Sequence, residues 1–237
     1  VVQSVLPSQT GTTQTLYPFT AYPQTPLLLI GTSQLTADDT ESLEQFVLSG
    51  AKTFIATTPY EVDINGAWNT SAQNDKVARL LSAWGISFKK TLTADISNFR
   101  LTLTSDEDSS GKQSADTRTE AVNYPLWPVI RPQTNALNGM TTFWPCAIDL
   151  PEQPSDLQTA LVPLLVTSDA SWQLKPTEGR FETNPFIVQK VSEKNDEKGP
   201  FTIAVRLTGK CSGFYTTQTC DHADLIVMGD QYALSTM

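Results

Sequence analysis

From residue 27 onward the chain alternates between short apolar runs and amphipathic segments. Leu27-Leu-Leu-Ile-Gly31 is a continuous apolar run closed by glycine, the pattern of a strand buried on both faces of a parallel sheet. The stretch from Thr36 to Gly50 predicts a helix. Thr36 can cap it, and Asp38, Asp39 and Glu41 put negative charge at its positive end. Leu43, Phe46 and Val47 then supply the apolar stripe, and Gly50 ends it. Thr53 to Thr57 reads as the next strand, stopped by Pro59. A second helix is expected from about Asp75 to Trp84, with Val77, Leu80, Leu81 and Trp84 on one face and Gly85 just past its end. Ile86 to Leu92 can return as a strand.

Residues 1–26, rich in Gln, Ser, Thr and Pro, carry no sustained period and predict an extended arm. Residues 105–120 form a polar tract with nothing to bury and predict a solvated loop. Tyr124 to Pro132 holds three prolines, which argue for extended chain and against a helix or central strand. Phe143 to Asp149 and Leu161 to Ser168 read as strands, with Ser171 and Trp172 in a turn. Phe186 to Val191 and Phe201 to Leu207 read as a long hairpin whose edge can pair with a partner, and Asp224 to Asp230 as a last parallel-type strand. Strand, helix, strand, helix, strand with short connections predicts a doubly wound α/β layer. The expected fold is therefore a mostly parallel sheet with helices on both faces and antiparallel additions in the second half, a single domain over residues 27–237.

Charge narrows the partners. The 237 residues include 16 Lys and Arg against 25 Asp and Glu, a net charge of -9, with a pI near 4.6. That balance argues against nucleic acid, whose phosphates need clustered cations. No apolar run reaches the roughly 18 to 20 residues of a spanning helix. A start at Val1 and a stop at Met237 read as a piece cut from a longer protein. Cys211 and Cys220 bracket Ser-Gly-Phe-Tyr-Thr-Thr-Gln-Thr, flexible enough to bring two thiols together for a disulfide; the alternative is two free thiols in a loop. Asp221 and His222 are too poorly spaced beside them for a metal site. Cys146 sits among apolar neighbours and reads as a buried residue rather than a nucleophile.

The order Leu27-Leu-Leu-Ile-Gly, Ala51-Lys-Thr-Phe-Ile-Ala-Thr, Leu80-Leu-Ser-Ala-Trp-Gly-Ile86, Tyr124-Pro-Leu-Trp-Pro-Val-Ile-Arg-Pro132, Pro163-Leu-Leu-Val-Thr-Ser-Asp-Ala-Ser-Trp172, Gly199-Pro-Phe-Thr-Ile-Ala-Val205 and Leu225-Ile-Val-Met-Gly-Asp230 resembles the GldG-like family. Its members are extracytoplasmic domains of auxiliary proteins in gliding-motility-type ABC transport systems. The resemblance implies a Rossmann-like sheet of the flavodoxin or glutamine-amidotransferase type. It also implies a periplasmic address, membrane anchors outside this sequence, and permease and ATPase subunits as partners. The polar tract at 105–120 and the Cys211/Cys220 pair depart from the family pattern.

Candidate chemistry is sparse. The only histidine is His222, in an expected loop, and no Gly-x-Ser-x-Gly elbow occurs, so the nucleophile-base pair of a serine hydrolase is missing. Neither dinucleotide nor P-loop glycine spacing is present, and no cofactor or metal is expected. Asp38/Asp39 belong to a helix's opening turn and Asp106/Glu107/Asp108 to the solvated tract. The carboxyl ends of parallel strands are where open α/β sheets form a crevice, which would gather Gly31, Thr32, Ser33, Thr57, Thr58, Pro59 and Asp230. Tyr124, Trp127, Arg131 and Trp144 add aromatic surface and one cation, a mixture suited to a saccharide, a peptide or a protein partner. Three functions follow: a non-catalytic transport auxiliary domain, a free solute- or glycan-binding module, and a degenerate hydrolase.

Overall fold

The structure, a computed structural model, describes residues 25–64, 66–73, 76–107, 113–130, 140–151, 159–188 and 197–234. In chain order the first elements are β1 (Leu27–Ile30), α1 (Ala37–Leu48), β2 (Thr53–Ala56), β3 (Tyr60–Val62), β4 (Thr70–Ala72), α2 (Lys76–Ala83), β5 (Ser87–Phe88) and β6 (Leu92–Ala94). There follow β7 (Asn98–Glu107), β8 (Gln113–Ile130), β9 (Met140–Thr141), β10 (Ile148–Asp149), β11 (Thr159–Val166), β12 (Trp172–Leu174), α3 (Pro185–Val188), β13 (Thr202–Ser212) and β14 (Thr219–Met228).

The first crossover forms as its sequence dictates. Thr36 Oγ1 accepts the Asp39 N–H at 3.2 Å while the Asp39 carboxylate accepts the Thr36 N–H at 2.9 Å, a capping box that starts α1. Leu43, Phe46 and Val47 are buried against the sheet, each stabilising the fold by about 1.5–3 kcal/mol. β1 and β2 pair in parallel, and β14 adds to β2 in parallel. From there the sheet turns antiparallel: β13 pairs with β14 and with β11, and β10 joins β13 to β5. Three smaller ladders surround it: β3–β4, β6–β12 and β7–β8–β9.

A Rossmann-like sheet with helices on both faces is not what forms. The described residues are mostly strand, in mixed and antiparallel sheets, with three helices. The cause lies in the layering. α1 and α2 both pack into one apolar cluster with Leu29, Ile55, Val205, Leu225 and Val227, on a single face of the sheet. The opposite face, with Ala56, Leu165, Ala204 and Met228, is covered instead by Ile130 of β8 and Met140 of β9.

Several local expectations change for the same reason. The polar tract supplies strand at both ends, because β7 and β8 pair from Asn98↔Pro128 through Glu107↔Gln113; residues 108–112 lie outside the described residues. The proline-rich segment is strand up to Ile130. A proline loses only its N–H, and Pro125 and Pro128 still accept from Asp95 at 3.0 Å and Thr142 at 2.9 Å. Phe186 starts no hairpin: Pro185–Val188 is one helical turn, held by Asn184, and β13 pairs with β11 and β14. Trp172 opens a strand rather than a turn, and only Ile148–Asp149 of the 143–149 segment is strand. Ile86 to Leu92 yields only the two-residue β5, with β6 beginning at Leu92 and pairing elsewhere. Of the N-terminal arm, residues 1–24 lie outside the described residues, as does Arg131.

A second, aromatic cluster holds the smaller ladders. Tyr60, Tyr124, Trp144, Trp172, Phe181 and Tyr232 are buried in it, with Trp68 and Trp127 at its margin. The Tyr124 hydroxyl donates to the Thr183 carbonyl at 2.7 Å and accepts the Trp144 indole N–H at 2.9 Å. Gly229 lets this cluster meet the main sheet: a side chain there would lie 2.1 Å from the Cys146 carbonyl oxygen, and the Cys146 N–H donates to the Gly229 carbonyl at 2.7 Å.

Candidate functional site

A cleft of about 570 Å³ opens at the carboxyl end of β1, within the ordinary range of small-ligand sites. Three segments form it. Gly31, at φ +70°, turns the chain out of β1 so that Ser33, Gln34 and Leu35 make one wall. The β3–β4 hairpin makes the second, with Glu61, Asp63, Asn69, Ser71 and Gln73. Gln231 and Tyr232, just past β14, make the third.

The hairpin's place follows from strand alternation. Tyr60 and Val62 point inward and are buried, so Glu61 and Asp63 are presented outward at the cleft. Tyr232 ties hairpin to sheet, its hydroxyl oxygen accepting the Val62 N–H at 2.7 Å. Asp230 sets the turn that positions Tyr232. Wholly buried, its carboxylate accepts N–H groups from Phe143 at 2.7 Å, Tyr232 at 2.8 Å and Ala233 at 3.0 Å. Burial pushes that carboxyl up to about 7, against the three N–H groups that draw it down.

The expected site residues thus divide. Gly31 and Ser33 line the cleft. Thr32, Thr57 and Thr58 are buried beneath it and bind strand ends together: Thr32 Oγ1 and Thr57 Oγ1 lie 2.6 Å apart, the Thr57 N–H donates to Met228, and the Thr58 hydroxyl donates to the Tyr60 carbonyl. Asp230 supports the cleft from within. Trp127 is half-buried in the aromatic cluster, 4.9 Å from the Phe143 ring, and does not line the cleft. Its indole N–H is buried without a hydrogen-bond partner. Arg131 lies outside the described residues.

Sequence reasoning misses Glu61, Asp63, Asn69, Ser71, Gln73 and Gln231. The available signal is the alternation Tyr60-Glu-Val-Asp followed by Thr70-Ser-Ala, a short hairpin with one apolar face.

The lining combines apolar side chains, among them Leu29, Ile30, Leu35 and Ile64, with polar ones that are not basic. Glu61 and Asp63 are acidic, five lining side chains besides Gln73 and Gln231 are hydroxyls or amides, and none is Lys, Arg or His. The Oε1 atoms of Gln73 and Gln231 are buried with no hydrogen-bond partner. Such oxygens are costly to leave unpaired and suit a ligand rich in O–H or N–H donors. The charged side chains that line it, Glu61 and Asp63, are both acidic; the nearest cation, Lys76, donates to the Leu35 carbonyl at 3.2 Å.

Other reactive groups stand apart. Cys146 is wholly buried, and burial pushes its thiol well above the ordinary range. His222 is exposed on β14 and lines no part of the cleft. Among the described residues no group of three or more His, Cys, Asp or Glu is placed to hold a metal ion, and no helix is long and apolar enough to cross a membrane.

The chain matches a family model described as an ABC-type uncharacterized transport system over residues 14–237. No curated protein and no solved structure matches it. With all but its first thirteen residues matched, the chain belongs to this family of auxiliary components of ABC-type transport systems.

Proposed function

We propose that the chain is a non-catalytic, extracytoplasmic binding domain of an ABC transport system of the gliding-motility type. Membrane anchors hold it beside permease and ATPase subunits on the periplasmic side, and its cleft takes an uncharged or cationic ligand, a saccharide or a peptide. Family membership supports the transport role. The cleft supports binding: its two buried, unpartnered amide oxygens and its acidic, lysine-free lining await donors. A non-catalytic role fits a thiol sealed in the core and a histidine placed away from the cleft.

Thermal unfolding against a panel of neutral oligosaccharides and basic peptides tests the reading, with Ser71→Trp as the blocked form. Ser71 is exposed on β4, so the indole fills the cleft without entering the core. A true ligand at 100 times its Kd stabilises the domain by about 2.7 kcal/mol. That gain is expected in the native chain and absent from the variant. No stabilisation by any panel member, or equal stabilisation of both forms, overturns the assignment of the cleft.

A further inference from the structure

At the far end of β13 and β14 the chain reverses through residues 213–218, and Cys211 stands directly opposite Cys220. Directly opposed residues of an antiparallel ladder have Cα atoms about 4.5–5.5 Å apart and side chains on the same face. That spacing lies inside the window of roughly 4.4–6.8 Å that a disulfide requires. The shared face is confirmed by packing: Cys211 is buried within the α1/α2 cluster, and Cys220 packs against it.

The alignment depends on an irregularity. From Gly209↔Ala223 to Cys211↔Cys220 the ladder advances by Lys210 alone on β13 but by Asp221 and His222 on β14. The extra residue on β14 brings Cys220 into register; in an unbroken ladder Cys211 would face Asp221. The helices then hold the reversal in place. Glu44 of α1, wholly buried, accepts the N–H groups of Phe214, Tyr215 and Thr216, and the Trp84 indole beyond α2 donates to the Ser212 carbonyl at 2.9 Å. Two thiols are therefore juxtaposed on a frame that neither of them builds.

We propose that Cys211 and Cys220, thiols in this structure, close into a cross-strand disulfide when the protein meets a disulfide-bearing oxidant. Cys220, the more accessible, attacks one sulfur of the oxidant as thiolate and releases its partner as a thiol. Cys211 then attacks the Cys220 sulfur of the mixed disulfide, and the second oxidant sulfur leaves as a thiol. Two protons and two electrons pass from the pair, and the oxidant's disulfide becomes two thiols. Burial pushes the Cys211 thiol up to about 12, which assigns it the second step. The bond locks a tip carrying Phe214 and Tyr215, exposed aromatics with ring centres 4.8 Å apart.

The test uses the whole chain equilibrated in oxidised glutathione with a small reduced fraction, acid-quenched, alkylated and peptide-mapped. The expected product is about 2 Da lighter than the reduced protein, links the Cys211 and Cys220 peptides, and leaves Cys146 as a thiol. Cys220→Ser removes the linkage while disturbing only a half-buried position. Full alkylation of both thiols under every oxidising ratio overturns the proposal, as does arrest at a Cys220–glutathione adduct or pairing with Cys146 or a second molecule. The readout is independent of cleft binding, so a failed ligand panel leaves it standing.

Discussion

Asp230 offers the sharpest test of the energetics. Its carboxyl lies wholly buried, raised from an ordinary value of 3.8 to about 7, with burial outweighing three backbone N–H donors. A raised folded-state value means the native protein holds a proton that the unfolded chain releases. The contribution is therefore fully favourable below about pH 4 and is lost as pH rises through 7. A carboxyl that titrates near 3.8 in the unfolded chain and about 7 in the folded one contributes about 4 kcal/mol in total. Near the chain's pI of about 4.6 solubility is poorest, so the practical window runs from about pH 5.5 to 8.5. Roughly half of the effect, about 2 kcal/mol, falls inside that window. Asp230→Asn supplies the reference, since its amide cannot titrate. Its stability is lowered at all pH because an NH₂ group faces backbone donors, but this offset does not depend on pH. Urea unfolding of both proteins at each pH gives the difference. Wild type should lose about 2 kcal/mol relative to the variant between the two ends. A constant difference refutes the reasoning and means that the N–H groups keep the carboxylate charged throughout.

Three further outcomes are expected. Glu44→Gln keeps one acceptor but turns an NH₂ toward the loop N–H groups, so it should cost about 2 kcal/mol in chemical unfolding and accelerate amide exchange at Phe214, Tyr215 and Thr216. Tyr124→Phe removes the hydroxyl shared by the Trp144 indole and the Thr183 carbonyl and should cost about 2 kcal/mol in the same assay. Closing the ten-residue loop from Cys211 to Cys220 should stabilise the oxidised form by about 3 kcal/mol over the reduced form, read from paired unfolding curves with and without reductant.

What the sequence makes legible is what local pattern decides. β1, α1, β2 and α2 emerge within a residue or two of their expected bounds because a cap, an apolar stripe and a terminal glycine all act over one turn. β14 carries its apolar run for the same reason, and Gly31 and Ser33 reach the cleft because they follow a parallel strand. The β7–β8 ladder is hidden because its stability comes from cross-strand partners such as Leu101↔Val122, which no single segment displays. The hairpin expected between 186–191 and β13 does not start at Phe186 because, although the segment has the composition of a strand, Asn184 caps a helical turn over Pro185–Val188; residues 189–191 lie outside the described residues. Glu44 has the residue type of a solvated helix position, yet it shares a helical face with Thr40 and Val47, all wholly buried. Its partners lie 170 residues away, and sequence spacing carries no trace of them.

Strand alternation lets one hairpin serve two ends. The inward residues of β3 belong to the aromatic cluster: Tyr60 meets Phe181 edge-on at 4.7 Å, and Val62 holds the Tyr232 hydroxyl, whose ring stands 5.7 Å from Trp144. The outward residues, Glu61 and Asp63, line the cleft. The acidic groups of the cleft and the buried anchors of the aromatic cluster thus fall on opposite sides of this segment, with Val62 and Tyr232, which also line the cleft, as the contact between them. Tyr124→Phe weakens the inner face alone, so its folded fraction should keep the ligand affinity of the native chain. Ser71→Trp fills the outer side alone, so it should lose affinity while keeping the unfolding midpoint of the unliganded protein. If both variants changed both properties, the cleft wall and the aromatic core would be one mechanical unit, and the division of labour inferred from the strand's period would fail.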